Sequence, residues 1–507
     1  MGDAAYDRVF ILELTGPTLD FILERRAALP NFGRFLAEGA WGRLTGPPQP
    51  VAPQSFATLL TGRNPGATGL FDFFTFAAGG YDRVPYSTTL LRQPTFVQRL
   101  SDQGKRVGLV NVPLTFPLPK LNGFVVSGDE GIGDEFAWPP EVCRQLTADG
   151  YVVPFGASYS PGREHELTDH AMRVLAMRRR ALRTLFGGGQ WDFGMLTLHM
   201  YGELLHAFWR FYDPAHPEYR PLAEVFGDRD PFLEPLVEID DMLGEIVELA
   251  GPRALVLVLG AWGHRLEHTR VHLNAALARS GDLHFRRNPR ALVKRVMFRS
   301  GVTAASAERL AHRLNLWKLF HYGLPRGKRA NVTGATFLSF RDVDWARTRA
   351  VAMGYLGQVF LNVQGHRPLG VIPAARYNAE RERIARLVSE LRDPRNGRPM
   401  VRRVLARDEI YRGDALTDAP DLVVEWMPGY SGDTGLAGGG RLVTLSAANH
   451  SSDHCTESVI LALGRGVQRG EITAILQDIA PTVLDALGVA VPAELEGSVL
   501  SFNTESP

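Results

Sequence analysis

The sequence predicts an α/β fold with a mostly parallel central sheet, helices on both faces of that sheet, and a basic helical insertion. Short, nearly continuous apolar runs recur along the chain, and segments of helical character separate them. Strands of this kind are buried on both faces, as in a parallel sheet covered by helices. Hydrophobic residues make up 45% and charged residues 22% of the chain, which is typical of a globular protein and not of a disordered or fibrous one.

The predicted elements alternate from the first strand onwards. A helix over Leu29–Gly39 follows that strand, because proline is tolerated in a first helical turn and glycine favours a helix end. The predicted strands are Arg8–Leu14, Val107–Val112, Gly123–Ser127, Phe193–Leu198, Ala254–Leu259, Gln358–Val363, Asp421–Glu425 and Ser458–Leu463. Functional side chains in such sheets collect at the carboxyl ends of the strands. The loops after the first, fourth and fifth strands, and the loop before the last, are therefore the first candidates.

One segment, residues 281–330, departs from this alternation. It contains no obvious strand, and its twelve Lys and Arg residues against two acidic residues give a local charge of +10. We interpret it as a helical insertion or cap, and residues 1–280 with 331–507 as one discontinuous core. Two interpretations of its charge remain open. It forms a solvated amphipathic surface, or it forms an electrostatic lid over an anionic group, with Arg326 and Lys328 as substrate contacts.

Composition also limits the function. The 56 Lys and Arg residues nearly balance the 55 Asp and Glu residues, so the net charge of +1 gives no reason to expect a nucleic-acid partner. Two cysteines cannot build a disulfide framework, which favours a reducing compartment. The first residues lack a signal-peptide pattern, and no apolar run approaches the ~20 residues of a membrane span. We expect a cytoplasmic protein without membrane contact that binds a small-molecule substrate.

Several stretches in sequence order together resemble the type I phosphodiesterase/nucleotide pyrophosphatase branch of the alkaline phosphatase superfamily. They include ILELTGPT, LPNFGRFLAEGAWGRL, PVAPQSFATLLTGRNPGATGLFDF, VGLVNVPLTFP and SSDHCTESVILALGRG. The resemblance covers both ends and most of the middle of the chain, and it implies an alkaline-phosphatase-like core. It also implies two metal ions, usually zinc, and a Thr or Ser nucleophile. Two such ions clamp the attacking and leaving oxygens and lower the pKa of the nucleophile.

Most residues that the resemblance would require are replaced. Thr15 stands where the family has its first Asp ligand, and Ala52 stands at the position of the nucleophile. Gly202 replaces the Asp that precedes His206 in one metal motif. The loop that carries two further ligands in the family reads Leu259-Gly260-Ala261-Trp262 here. Of seven expected groups only two histidines remain, so the resemblance implies a divergent member that does not use the two-metal mechanism.

The two remaining histidines are the best catalytic candidates. His206 and His454 lie far apart in sequence and meet in space if the fold is as predicted. Glu203 precedes His206 by three residues and shares its helix face, so it is a candidate third ligand or general base; the alternative is an ordinary acid in the first helical turn. No cofactor or metal is expected. If one zinc ion is retained, these three residues would hold it, although two imidazoles alone bind zinc weakly.

Further residues are predicted to line the same pocket, although each alone is more often structural. Glu13 is two residues from Thr15 and shares its strand face. Cys455 follows His454, and a structural role is favoured over that of a nucleophile. His268 and His450 are additional histidines near the altered loops. The predicted substrate-binding residues within the core are Thr15, Ala52, His199, Tyr201, Trp262 and His264.

Three hypotheses for the function follow. The first is a repurposed enzyme in which histidine acid–base chemistry replaces phosphoryl transfer, in a cyclisation, elimination, isomerisation or acyl transfer of a biosynthetic pathway. The second is a non-catalytic protein that binds an anionic ligand or partner. The third is a residual one-metal phosphodiesterase. Fold analogy alone does not decide between them.

Overall fold

The computed structural model describes residues 4–77, 79–128, 135–153, 159, 161–300, 338–436, 440–447 and 449–502. The strands are β1 Arg8–Leu14, β2 Ala40–Thr45, β3 Phe74–Phe76, β4 Arg83–Pro85, β5 Val107–Val112, β6 Gly123–Ser127, β7 Ala137–Trp138, β8 Phe193–Leu198, β9 Ala254–Leu259, β10 Gly263–His272, β11 Ala350–Met353, β12 Gln358–Leu361, β13 Val401–Ala406, β14 Leu422–Trp426, β15 Gly429–Asp433, β16 Val443–Leu445, β17 Ser452–Cys455, β18 Glu457–Gly464 and β19 Gly470–Ile475. The α-helices are α1 Leu19–Arg25, α2 Pro30–Glu38, α3 Ala52–Thr61, α4 Pro65–Thr68, α5 Phe96–Asp102, α6 Pro140–Ala148, α7 Glu164–Phe186, α8 Met200–Tyr212, α9 Leu222–Phe226, α10 Leu233–Ala250, α11 Leu273–Ser280, α12 Pro289–Arg299, α13 Tyr377–Ser389, α14 Arg407–Ile410 and α15 Ile479–Ala486.

A nine-stranded sheet forms the centre of the fold, in the order β19-β2-β18-β9-β1-β8-β5-β6-β7. Strand β1 runs parallel to both of its neighbours, β8 and β9. Alternate residues of β1 point to opposite faces, so Phe10 and Leu12 join one hydrophobic cluster while Val9 and Ile11 join another. Helices α7, α8 and α10 cover the first face, and α3, α5 and α15 cover the second. The predicted fold class is confirmed.

The run predicted at Ser458–Leu463 forms β18, which lies antiparallel between β9 and β2 within the mostly parallel sheet. One detail of the predicted sheet is corrected by the structure. The runs predicted at Gln358–Val363 and Asp421–Glu425 form β12 and β14, which belong to a separate antiparallel sheet in the order β11-β12-β14-β13. The sequence pattern misled because β14 is also buried on both faces: Leu422 and Val424 join one cluster, and Val423 joins another.

A third small sheet connects these parts near the carboxyl ends of the central strands. Strand β10 pairs with β15, β16 and β17, and its pairing with β17 is antiparallel. In that register His264 lies directly opposite His454. Because residues opposite each other in an antiparallel pair project to the same face, both imidazoles lie on one side of the ribbon.

The basic insertion is described only in its first part. There α12 is helical, and Lys294 on it forms an ion pair of 3.0 Å with Asp342. The predicted substrate contacts Arg326 and Lys328 lie outside the described residues. None of the described helices combines the length and apolarity that crossing a bilayer requires.

Candidate functional site

The candidate site lies where the chain leaves β1, β8 and β9 at the carboxyl edge of the central sheet. Thr15 follows β1, His199 follows β8, and Trp262 follows β9. Helix α8 begins directly after His199 and carries His206 two turns further along. This is the edge at which the sequence predicts functional residues.

Three imidazoles converge at this edge. We call His206, His264 and His454 the histidine trio. One potential ligand nitrogen from each lies within 4.8 Å of the others. The ring centroids of His206 and His264 are 4.3 Å apart, and the ring of His454 is 5.1 Å from the first and 5.2 Å from the second. The predicted meeting of His206 and His454 is seen, and His264 joins them.

Hydrogen bonds on the outer nitrogens fix the trio's tautomers. His206 Nδ1 donates to the carbonyl oxygen of Ser452 at 2.8 Å, and His454 Nδ1 donates to that of Pro50 at 2.8 Å. The hydroxyl of Ser452 donates to the carbonyl oxygen of Leu205 at 2.9 Å, so it accepts from His264 Nδ1 at 2.8 Å. Since each Nδ1 carries a proton, each neutral ring presents its Nε2 lone pair to the other two.

These lone pairs face one another without donors. Nε2 of His206 and Nε2 of His454 are 3.1 Å apart. His264 is 3% exposed, and its Nε2 is buried with no hydrogen-bond partner among the described residues. Burial, with the neighbouring His206 second, lowers the pKa of His454 to about 3, and burial holds the pKa of His264 well below its ordinary value. His264 and His454 are therefore neutral imidazoles at neutral pH, the form that binds a transition metal.

The donor set of the trio fits one metal ion. Three imidazole nitrogens match the protein ligands of a three-histidine zinc site. Within the part of the chain that the structure describes, the trio is the group of His, Cys, Asp or Glu side chains whose ligand atoms lie close enough to share an ion. On the opposite side of the pocket, where the resemblance would require a second ion, Thr15, Ala52 and Ala261 provide no carboxylate or imidazole.

A second hydrogen-bonded group faces the trio across Gly202. We call Glu13, Thr15 and His199 the acid side. Thr15 Oγ1 lies 3.2 and 3.1 Å from the two carboxyl oxygens of Glu13 and 3.0 Å from His199 Nδ1. Glu13 Oε1 also accepts from the backbone N–H of Ala261 at 3.1 Å. The hydroxyl thus joins a buried carboxyl group to an imidazole at the pocket.

Burial gives the acid side unusual protonation. It raises the pKa of Glu13, which is completely buried, to about 8. Burial, with the nearby Arg178 guanidinium second, lowers the pKa of His199 to about 4. At neutral pH the carboxyl group therefore keeps its proton and the imidazole is neutral.

Trp262 lies between the two groups. The indole is 4% exposed, and its ring centroid is 4.8 Å from that of His454 and 6.4 Å from that of His199. Phe56 on α3 packs edge-on against it at 6.1 Å. Ala52, at the start of α3, is half-buried. The rings of Trp262 and Phe56 and the methyl group of Ala52 therefore occupy the side of the pocket where the resemblance would place the nucleophile.

Two predicted site residues have other surroundings. Tyr201 is fully buried, donates its hydroxyl to the carbonyl oxygen of Phe232 at 3.1 Å, and packs against Phe21, because it projects about 140° around the helix from His206. It is a core residue and does not line the pocket. Glu203 is exposed on α8, and His264 replaces it as the third member of the group around His206 and His454.

Cys455 does not have the environment of a nucleophile. Its thiol is half-buried and donates to the carbonyl oxygen of Glu457 at 3.4 Å. Burial raises the pKa of this thiol to about 11, so it is protonated at neutral pH. The structural role favoured by the sequence agrees with these contacts.

Two residues that contribute to the site, Ser452 and Tyr355, have no recognisable signal in the sequence. Ser452 orients two of the three trio imidazoles, and Tyr355 places its hydroxyl 3.0 Å from Nε2 of His450, whose ring lies 5.0 Å from that of His206. Tyr355 comes from the turn between β11 and β12 of the separate sheet. No spacing in the sequence links a serine or tyrosine there to α8, since only the packing of the sheets brings them together.

Comparison with known proteins gives the family and the fold. Residues 11–439 match the family model for type I phosphodiesterase / nucleotide pyrophosphatase. Phosphonoacetate hydrolase from Sinorhizobium meliloti 1021, in complex with phosphonoacetate, superposes with a TM-score of 0.56 at 14% identity, covering 95% of this chain and 96% of that one. Human ectonucleotide pyrophosphatase / phosphodiesterase 5 superposes with a TM-score of 0.50 at 9% identity, with 97% of each chain covered. A search of curated proteins gives no match.

Proposed function

Since this chain belongs to the type I phosphodiesterase/nucleotide pyrophosphatase family, we propose that it is a repurposed enzyme of that family. It acts on a small anionic substrate by proton transfer and not by covalent phosphoryl transfer. The observation that supports this proposal is the hydrogen-bonded line from Glu13 through Thr15 to His199. That line occupies the side of the pocket where the resemblance would require a metal ligand and a nucleophile.

The absence of a usable nucleophile supports the first part of the proposal. Ala52 has no atom that can attack phosphorus. Ser55 and Thr58 follow it on α3, but both hydroxyls are completely buried and are not presented to a substrate. Cys455 is a protonated thiol. Apart from the Thr15 hydroxyl, which belongs to the hydrogen-bonded line, the described residues of this wall offer no covalent nucleophile.

The acid side can deliver a proton. When Glu13 holds its proton, the carboxyl group donates to Thr15 Oγ1, and the Thr15 hydroxyl is then the donor to Nδ1 of His199. In that arrangement the neutral imidazole carries its own proton on Nε2. When Nε2 gives that proton to a substrate atom, Nδ1 takes the Thr15 proton and Thr15 takes the proton of Glu13. The net result is one proton moved from the buried carboxyl group to the substrate. General acid catalysis of this kind contributes ~100-fold or more to a rate.

An anionic substrate is proposed from the family and from a structural relative. The phosphonoacetate hydrolase was solved with phosphonoacetate bound, and the fold is shared. Cyclisation, elimination, isomerisation and acyl transfer all need proton transfer to or from a carbon, nitrogen or oxygen atom, and none requires the missing nucleophile. A biosynthetic role fits such chemistry.

The test is an activity screen combined with matched variants. Purified protein is incubated with the anionic fraction of a metabolite extract, and conversions are followed by mass spectrometry. We expect a conversion that falls by ~100-fold or more in His199→Ala and in Thr15→Val, with folding checked by circular dichroism. His366→Ala, at an exposed histidine, is the control and should leave the rate unchanged.

Two outcomes would overturn the proposal. If no extract component is converted although one binds stably, the chain is a binding protein. If bis(p-nitrophenyl) phosphate is hydrolysed well above background by the unaltered protein, phosphoryl transfer has survived, and another group has replaced the nucleophile missing at position 52.

A further inference from the structure

We propose that His206, His264 and His454 form a mononuclear site for a divalent transition-metal ion such as Zn²⁺, in which His264 has taken the place of the missing carboxylate at position 202. The site goes beyond the proton-transfer function proposed above, which requires no ion. It also differs from the arrangement expected from sequence, where no metal was expected and Glu203 was the candidate third ligand.

A count of lone pairs supports a cation at the centre of the trio. Each Nδ1 is committed to an oxygen acceptor, so three Nε2 lone pairs must be satisfied within one 4.8 Å group. A proton shared between His206 and His454 at 3.1 Å leaves His264 unsatisfied. One water molecule has two protons and satisfies two of the three nitrogens. A transition-metal ion accepts all three.

Two glycines lie against the imidazole of His264. A Cβ atom on Gly202 would lie 3.7 Å from His264 Nε2, an ordinary contact distance, and 3.1 Å from Thr15 Cγ2. Gly16, with φ of +114°, lies on the other side, where a Cβ atom would be 3.1 Å from His264 Cδ2 and 2.6 Å from Leu205 Cδ1. Position 202 on α8 and the imidazole on β10 are therefore immediate neighbours, so a side chain at position 202 and His264 can reach the same ion.

The second coordination sphere is already built. Ser452 alone accepts from His206 through its carbonyl oxygen and from His264 through its hydroxyl. Such outer contacts hold metal-binding imidazoles in one tautomer and orientation. Three neutral ligands also leave a divalent ion its full charge and a fourth position for an exogenous, preferably anionic, ligand.

Metal binding is measured directly, so the result does not depend on turnover. Full-length protein stripped with a chelator is titrated with Co²⁺, whose visible absorption reports tetrahedral nitrogen ligands, and with Zn²⁺ by calorimetry. We expect one equivalent per chain. His264→Ala and the closer isostere His264→Gln should each weaken binding by ~100-fold. Glu203→Gln is the matched control and should bind like the unaltered protein.

A swap variant tests the replacement itself. In the His264→Ala background, Gly202→Asp should recover at least ~10-fold of the lost affinity, because a carboxylate again points at the vacated position. The proposed site would be overturned if the protein bound no metal ion or bound two equivalents of metal per chain. It would also be overturned if Glu203→Gln lost metal binding while His264→Gln kept it. If His264→Gln lost metal affinity and the swap variant did not recover it, the idea that His264 replaces a carboxylate at position 202 would be overturned. If metal binds but His199→Ala leaves turnover unchanged, only the proton-transfer function fails.

Discussion

The acid side and the histidine trio flank the same glycine and differ in how their polar atoms are satisfied. On the acid side a carboxyl group, a hydroxyl group and an imidazole hydrogen-bond to one another, and Ala261 completes the set. In the trio every hydrogen bond is made on the outside, and the inner nitrogens have only each other. A closed network needs no ligand, whereas a buried nitrogen without a hydrogen-bond donor is costly to leave unsatisfied.

This difference corresponds to two local environments. Beside Thr15, burial raises the pKa of the Glu13 carboxyl group, so this group is a neutral acid at neutral pH. Beside Gly202, the imidazole of His264 lies close to α8, where a Cβ atom at position 202 would be 3.7 Å from its Nε2. In the two proposals above, one half of the pocket transfers a proton and the other binds an ion.

The first variant removes the indole of Trp262, which contacts both halves of the pocket, and we expect it to have the strongest effect on stability. Trp262 contacts His199 on the acid side and His454 in the trio. Trp262→Ala should lower the free energy of unfolding by about 3–5 kcal/mol, because a large buried ring is lost. Denaturant unfolding measures this, with Trp262→Phe as the milder control. A change below ~1 kcal/mol would mean that the indole does not join the halves.

The next effect isolates the acid side through pH. The pKa of Glu13 is raised from 4.5 to about 8 in the folded protein, so between these values the unfolded chain releases the proton and the folded chain keeps it. Unfolding free energy therefore falls as pH rises, by about 1.4 kcal/mol per pH unit from this group. Between pH 6.0 and 7.5, measured by denaturant unfolding, the unaltered protein should lose about 2 kcal/mol more than Glu13→Gln.

The control for that comparison is Glu203→Gln, which removes an exposed carboxylate. It should follow the pH dependence of the unaltered protein. If Glu13→Gln and the unaltered protein show the same slope, the carboxyl group is ionised in the folded state, and the acid side cannot start with a proton on Glu13.

The last variant, Ser452→Ala, changes a hydrogen bond of the trio and leaves the acid side intact. Ser452→Ala removes the hydroxyl that accepts from His264 and donates to Leu205, and it keeps the carbonyl oxygen that holds His206. Stability should fall by about 1–3 kcal/mol, and Co²⁺ affinity by ~10-fold. The pH dependence assigned to Glu13 should not change. A shift in that dependence would show that the two halves are electrostatically coupled.

Much of the scaffold was predictable because strand burial leaves a direct trace in sequence. The runs at Arg8–Leu14, Phe193–Leu198 and Ala254–Leu259 coincide with β1, β8 and β9, since strands covered on both faces must be apolar throughout. Neither the direction of a strand nor the sheet to which it belongs leaves such a trace, so the separate sheet that holds β12 and β14 was not predicted. The assignment of Ala52 to the position of the family nucleophile depends on the sequence motif alone and stays a prediction.

The family resemblance, the central strands and the distant pair His206 and His454 could be predicted from the sequence alone. The third member of the trio and the carboxyl–hydroxyl–imidazole line could not, because they form only when the elements pack. His264 reaches His454 through an antiparallel register between residues 190 positions apart, and Ser452 reaches α8 only when β17 packs against it. Protonation and ligation depend on burial and on distances of about 3 Å. Those quantities arise when strands and helices pack, and no local pattern of residues records them.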